Sequence, residues 1–225
     1  MGQDRHDDDR TPHRILIVAW WFVALTAAGL AASLMGERRD LPLRFIAKPI
    51  ASAGFLGQAL TLGATDSRYG RWILIALLFG WIGDVALLGR GRSWFLTGLV
   101  AFLIGHLLYV VAFLVAGLSA GFTVAAAGAA TVAAGVVFRW LRPHLPPEMI
   151  APVLAYVVII SAMVATAVGA TAGGATPLIV IGATAFYMSD LAVARDRFVA
   201  PGFVNRIWGL PLYYLGQVLL AWSVA

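Results

Sequence analysis

The chain contains no cysteine, which excludes disulfides, thiolate chemistry and cysteine metal sites and leaves the redox compartment open. Charge is scarce as well: 12% of the 225 residues are charged, against 61% hydrophobic. A soluble domain of this length cannot hide so much apolar surface. The few charges stand in short clusters between apolar stretches of about twenty residues, the length that crosses a hydrocarbon core roughly 30 Å thick at about 1.5 Å per helical residue. The net charge of +5 forms no basic face interleaved with aromatics. The arginines sit instead at the ends of apolar segments, as membrane anchors and topology signals, so no nucleic-acid partner is expected.

Eight apolar segments are present, at about 15–35, 42–62, 71–89, 94–116, 119–139, 149–170, 175–194 and 203–223. They predict an all-α, polytopic integral membrane protein: eight transmembrane helices in one bundle over 14–225, after a mobile polar tail at 1–13 that carries Asp7, Asp8 and Asp9. The first segment has small residues near its end, Ala31, Ala32 and Ser33, as a signal peptide would. With Trp20 and Trp21 inside it and about 20 residues in all, it exceeds a signal core of roughly 7–15 and reads as a span. No connection has room for a separate domain, so any site must be built inside the spans or at their rims.

The odd-numbered loops carry Arg38, Arg39, Arg44, Arg90, Arg92, Arg139, Arg142, Arg195, Arg197 and Arg206; the opposite side carries Arg5, Arg10, Arg14, Arg68 and Arg71. The positive-inside rule then places the odd loops in the cytoplasm and both termini outside. A weak internal repeat is also visible. GLVAFLIGHLLY from Gly98 aligns with GLPLYYLGQVLL from Gly209, setting His106 against Gln217, and WIGDVALLGR around Asp84 aligns with FYMSDLAVAR around Asp190. The offset of four spans predicts parallel halves, with helices 3–4 and 7–8 as counterparts.

Ionisable groups within a span cost roughly 2.5–3.5 kcal/mol each on insertion, which makes them functional candidates. Lys48, Asp84, His106 and Asp190 qualify. Counted from the arginines at the helix ends, Lys48, Asp84 and Asp190 fall at one level, roughly 6–9 Å in, and His106 deeper, at about 18 Å. A structural ion pair between Lys48 and one aspartate is the plainer alternative. Pro49, directly after Lys48, frees a backbone carbonyl one turn earlier, which a polar cavity would accommodate. The glycines at 80, 83, 98, 105, 128, 135, 182, 209 and 216 read as close-packing sites between helices.

Lys48-Pro49, Gly83-Asp84, Gly98-Leu99 through Gly105-His106 to Tyr109, Ser189-Asp190, and Tyr213-Tyr214 with Gly216-Gln217, in that order and on those helices, resemble the YhhN-like lysoplasmalogenase family over residues 42–223. The resemblance implies an eight-span membrane enzyme that hydrolyses the vinyl-ether bond of lysoplasmalogens, with Asp84 and Asp190 as the essential carboxylates; the expected membrane is a bacterial inner one, and no cofactor is expected. The chemistry suits the residues. Protonating the β-carbon of a vinyl ether makes an oxocarbenium ion, water adds, and the hemiacetal collapses to aldehyde and alcohol. Two carboxylates in an apolar setting can supply this, one held protonated by desolvation and mutual repulsion, the other held ionised by a nearby cation. Glycosidases use paired carboxylates against the same kind of cation.

Lys48 would then set the ionisation of the acids or bind the lipid phosphate. His106, Tyr109, Ser189, Tyr213, Tyr214 and Gln217 are candidates for supporting the acids or orienting water and the glycerol hydroxyl, and Arg90 and Arg92 at the rim for the phosphate. The expected partners are a lysophospholipid substrate and membrane lipids. Only His106 among the histidines lies in a span, so a metal-dependent hydrolase lacks its ligands. The chief rival is a small-molecule or lipid transporter, which also uses intramembrane Asp and Lys groups in repeated halves.

Overall fold

A computed structural model describes residues 10–225, with side-chain environments from His13 onward. Eight α-helices follow one another: α1 Arg10–Arg38, α2 Arg44–Thr61, α3 Arg68–Ala86, α4 Arg92–Ala116, α5 Ala120–Leu141, α6 Pro147–Ala172, α7 Leu178–Ala194 and α8 Phe203–Trp222. A 3-10 turn, Arg142–His144, links α5 to α6, and a π turn, Arg195–Val199, prolongs α7. α1 is already helical from Arg10, and residues 1–9 of the expected tail lie outside the described residues.

Local sequence accounts for the helix ends. The Ser67 side chain accepts a hydrogen bond from the Gly70 amide and caps α3 at 2.9 Å. Gly91 and Gly117 flank α4 with φ of +101° and +93°, a backbone that side chains disfavour.

Six of the eight helices are long and apolar enough to cross a membrane. α2 and α8 fall short because they carry polar residues into the bundle: Lys48, Ser52 and Gln58 from α2, Asn205 and Gln217 from α8, all buried. α5 is the opposite case, with Leu141 its one buried residue, and it packs chiefly on α6.

The helices pair in chain order, α1 with α2, α3 with α4, α5 with α6 and α7 with α8. α8 also touches α1, α2 and α3, and α6 touches α4 and α7. Glycines set the approach within two of these pairs. A Cβ on Gly105 of α4 would lie 3.3 Å from the Ala76 carbonyl of α3, and one on Gly216 of α8 would lie 2.9 Å from the Gly182 carbonyl of α7. Two apolar clusters result. The larger surrounds Phe55, Leu77, Tyr109, Phe113, Phe186 and Leu220; the smaller joins Leu141, Leu145, Met149, Val153 and Val157 to Phe95, Leu99 and Phe198. A cavity of about 430 Å³ opens where the two fail to close on each other, lined by Phe102 and Tyr213 from the first and by Leu141, Val153 and Val157 from the second.

Candidate active site

Both intramembrane aspartates line this one cavity, each inside its own set of partners. Asp84, in the last turn of α3, is 1% exposed. Its Oδ1 lies 3.1 Å from Lys48 Nζ, and its Oδ2 accepts hydrogen bonds from the Ser52 and Tyr213 hydroxyls, each at 2.6 Å. Lys48 and Ser52 stand one turn apart on the same face of α2, which brings both to the carboxylate together. The network runs on behind them. Tyr214 lies 3.1 Å from the Ser52 hydroxyl, Gln217 donates to the Tyr213 hydroxyl at 3.2 Å, and the wholly buried Tyr109 donates to Gln217 at 2.6 Å. An ion pair this well hydrogen-bonded is fixed in place, because every alternative strands a charge in an apolar medium.

Among the described residues, Asp190 has no lysine or arginine beside it. Its Oδ2 accepts from the Tyr156 hydroxyl of α6 at 2.7 Å, and His106 Nε2 of α4 stands 3.5 Å away. His106 is fully buried, edge-on to Tyr156 at 5.2 Å between ring centroids, and neither of its ring nitrogens has a partner in hydrogen-bond geometry. Phe186 separates the two clusters, its ring 4.6 Å from His106 on one side and 5.2 Å from Tyr213 on the other.

Of the residues expected from sequence, Lys48, Asp84, Arg90, Ser189, Asp190 and Tyr213 line the cavity, and His106, Tyr109, Tyr214 and Gln217 stand behind it. Arg92 is elsewhere: it pairs with Glu148 at 3.2 Å, both side chains more than half exposed. His106 is not well below Asp190 but beside it. The π turn continues the helical path of α7 as far as Val199, so Asp190 lies further from that helix's end than a count from Arg195 suggests. α4 begins level with this turn, where Phe95 packs on Phe198 at 6.0 Å. Ser52 and Tyr156, which donate to the two acids at 2.6 and 2.7 Å, are not among the residues expected from sequence. The mouth is tied together by ion pairs, Arg206 to Glu37 at 2.6 Å and to Asp196 at 3.7 Å, with Asn205 donating to Asp196 at 3.1 Å. The arrangement offers a fixed anion, a second carboxyl free of cations, and an apolar slot leading to both.

The sequence pattern of the YhhN family matches residues 43–224. Lysoplasmalogenase TMEM86A of Bos taurus is 31% identical over 157 residues, covering 67% of this chain and 64% of its own length. A lysoplasmalogenase of Mycobacterium tuberculosis (strain CDC 1551 / Oshkosh) is 35% identical over 169 residues, 73% of this chain and 63% of its own. Lysoplasmalogenase TMEM86B of Homo sapiens is 32% identical over 173 residues, 76% of this chain and 69% of its own. The chain thus spans just under two thirds of the bovine and mycobacterial proteins. No solved structure matches it.

Proposed function

We propose a reaction for this chain from the premise that it belongs to the YhhN family: it is a membrane hydrolase that cleaves the vinyl-ether bond of lysoplasmalogen-type lysophospholipids to a fatty aldehyde and a glycerophospho-alcohol. The names of its relatives support the reaction class. The observation that carries the mechanism is the unlike setting of two carboxyls on one cavity, Asp84 held by Lys48 and Asp190 held only by neutral or weakly basic groups.

Asp190 is the acid. Tyr156 occupies its Oδ2, which leaves Oδ1 to carry the proton that goes to the vinyl β-carbon. The positive charge then moves to the α-carbon and ether oxygen, and the Asp84 carboxylate stabilises it across the cavity. Water adds to the α-carbon and gives up a proton to a carboxylate. The carboxyl that took that proton returns it to the glycerol oxygen as the C–O bond of the hemiacetal breaks, and the hemiacetal hydroxyl gives its own proton to the carboxylate as the C=O bond forms, which releases alcohol and aldehyde and restores the acid. Lys48 stays paired with Asp84 at 3.1 Å, and its engagement there leaves phosphate binding to other residues.

The four-plus-four repeat gains support from the way each acid is held. Asp84 of α3 is bonded by the helix before it and by α8; Asp190 of α7 is bonded by the helix before it and flanked by α4. The glycine contacts obey the same exchange, since Ala76 and Gly182 each precede their aspartate by eight positions. On this reading α2 and α8 also cross, giving eight spans in a single domain over 14–225, in a bacterial inner membrane with both termini outside. Because the chain lacks cysteine, one introduced at Ser93 can be labelled alone. A membrane-impermeant maleimide should react with it from the cytoplasmic face; labelling from outside intact cells would invert the topology.

The purified protein in detergent, given a lysoplasmalogen, should release aldehyde continuously without a sealed membrane. A transporter produces none under these conditions, and that result would remove the hydrolase reading.

A further inference from the structure

Four cationic side chains line the cavity, and two of them are already neutralised: Lys48 by Asp84, Arg206 by Glu37 and Asp196. Arg90 and Arg197 make no ion pair among the described residues. Both stand at the mouth. Arg197 is laid over the Phe95 ring at 4.4 Å, which steadies the guanidinium while leaving its N–H edge open. Glu37 and Asp196 are engaged by Arg206, so the mouth retains an uncompensated positive charge.

We infer that Arg90 and Arg197 together clamp the phosphodiester of the lysolipid and so set which bond reaches the acids. The inference rests on the hydrolase reading of the cavity and adds Arg197 to it. The spacing is that of a ruler. Arg197 follows Asp190 by seven positions of continuous helical path, about 10 Å at ~1.5 Å per residue, and Arg90 stands in the turn that follows α3, six positions after Asp84. In a 1-alkenyl lysophospholipid seven bonds separate phosphorus from the vinyl β-carbon, about 9 Å when extended at bond lengths near 1.5 Å. A phosphate held by the two arginines therefore puts the β-carbon at the level of the carboxyls, and the alkenyl chain continues along Val153, Val157 and Ile160. These three share a face of α6 and run inward from its rim end. Two guanidiniums match the oxygens of one phosphodiester, the geometry arginine favours.

The test measures binding, so it does not depend on turnover. The ligands are a 1-O-alkyl lysophosphocholine, whose saturated ether cannot be cleaved by this route, the matching 1-O-alkylglycerol, and glycerophosphocholine, each titrated against the full chain in detergent. The wild type should bind the lysophospholipid at least about tenfold more tightly than the alkylglycerol, a difference of about 1.4 kcal/mol. Arg90→Gln and Arg197→Gln should each remove most of that preference while changing alkylglycerol affinity less than about twofold, and Arg92→Gln, paired outside the cavity, should preserve it. Equal affinities in the wild type, an unchanged preference in both cavity variants, or glycerophosphocholine binding as tightly as the lipid would overturn the clamp. Absent aldehyde release with the phosphate preference intact would instead discard the hydrolase reading and keep the clamp.

Discussion

Asp84→Asn is expected to abolish aldehyde release and also to destabilise the protein, and the two effects can be separated. The substitution keeps the shape of the side chain but removes the charge that balances Lys48, itself 7% exposed. Breaking one half of a buried pair costs about 3–5 kcal/mol, because the remaining charge has no solvent to turn to. Loss of the anion that faces the oxocarbenium ion should lower turnover by a further 10²–10³-fold, the usual yield of one oriented electrostatic contact, roughly. Lys48→Met combined with Asp84→Asn removes both charges and should recover most of the lost thermal stability in detergent without restoring activity. If the double variant regains turnover along with stability, Asp84 holds the bundle together and does no chemistry.

The helices were legible because lipid leaves the chain no other way to satisfy its backbone groups, so apolar runs of the right length report spans directly. α2 and α8 show the limit of that signal. They are the helices diluted by site residues, and so the least apolar ones lie nearest the chemistry. Lys48 stood out because it is the one lysine in the chain, set in an apolar segment where every other basic residue is a loop or rim arginine. Ser52 did not, since a membrane-helix serine ordinarily bonds back to the carbonyl one turn earlier. Ser52 lies 3.0 Å from that carbonyl, of Lys48, and reaches Asp84 as well. Tyr156 reads from sequence as an ordinary aromatic of a span. The repeat holds the signal that would have found it. Pro152 in α6 answers Pro49 in α2, and the hydroxyl that grips each aspartate comes about one turn after its proline. The placing of the acids was beyond reach of the sequence, because the helical path past Arg195 moves Asp190 inward and the Phe186 ring packs between the partners of the two acids, His106 and Tyr213, while both carboxyls line one cavity.

Asp190→Asn should give the opposite profile to Asp84→Asn: a folded, substrate-binding protein that does not turn over. Among the described residues no lysine or arginine pairs with this carboxylate, and an amide oxygen can still accept from Tyr156, so the unfolding temperature should change little. Affinity for the uncleavable 1-O-alkyl lysophosphocholine should also persist, since the chain and phosphate contacts lie elsewhere along the cavity. Turnover should fall by about 10²–10⁴-fold, the range for losing a positioned general acid, with the loss in kcat and not in KM. The wild-type reaction in D2O tests the same step from the product side. Proton transfer to carbon requires one solvent deuteron at the carbon beside the aldehyde carbonyl, introduced before any slower exchange of the free aldehyde. Aldehyde released without that label would exclude protonation of the β-carbon whatever the variants do. Label present with Asp190→Asn turning over near the wild-type rate would leave the reaction intact and assign its acid to another group, of which His106, 3.5 Å from Asp190 and without a hydrogen-bond partner, is the nearest.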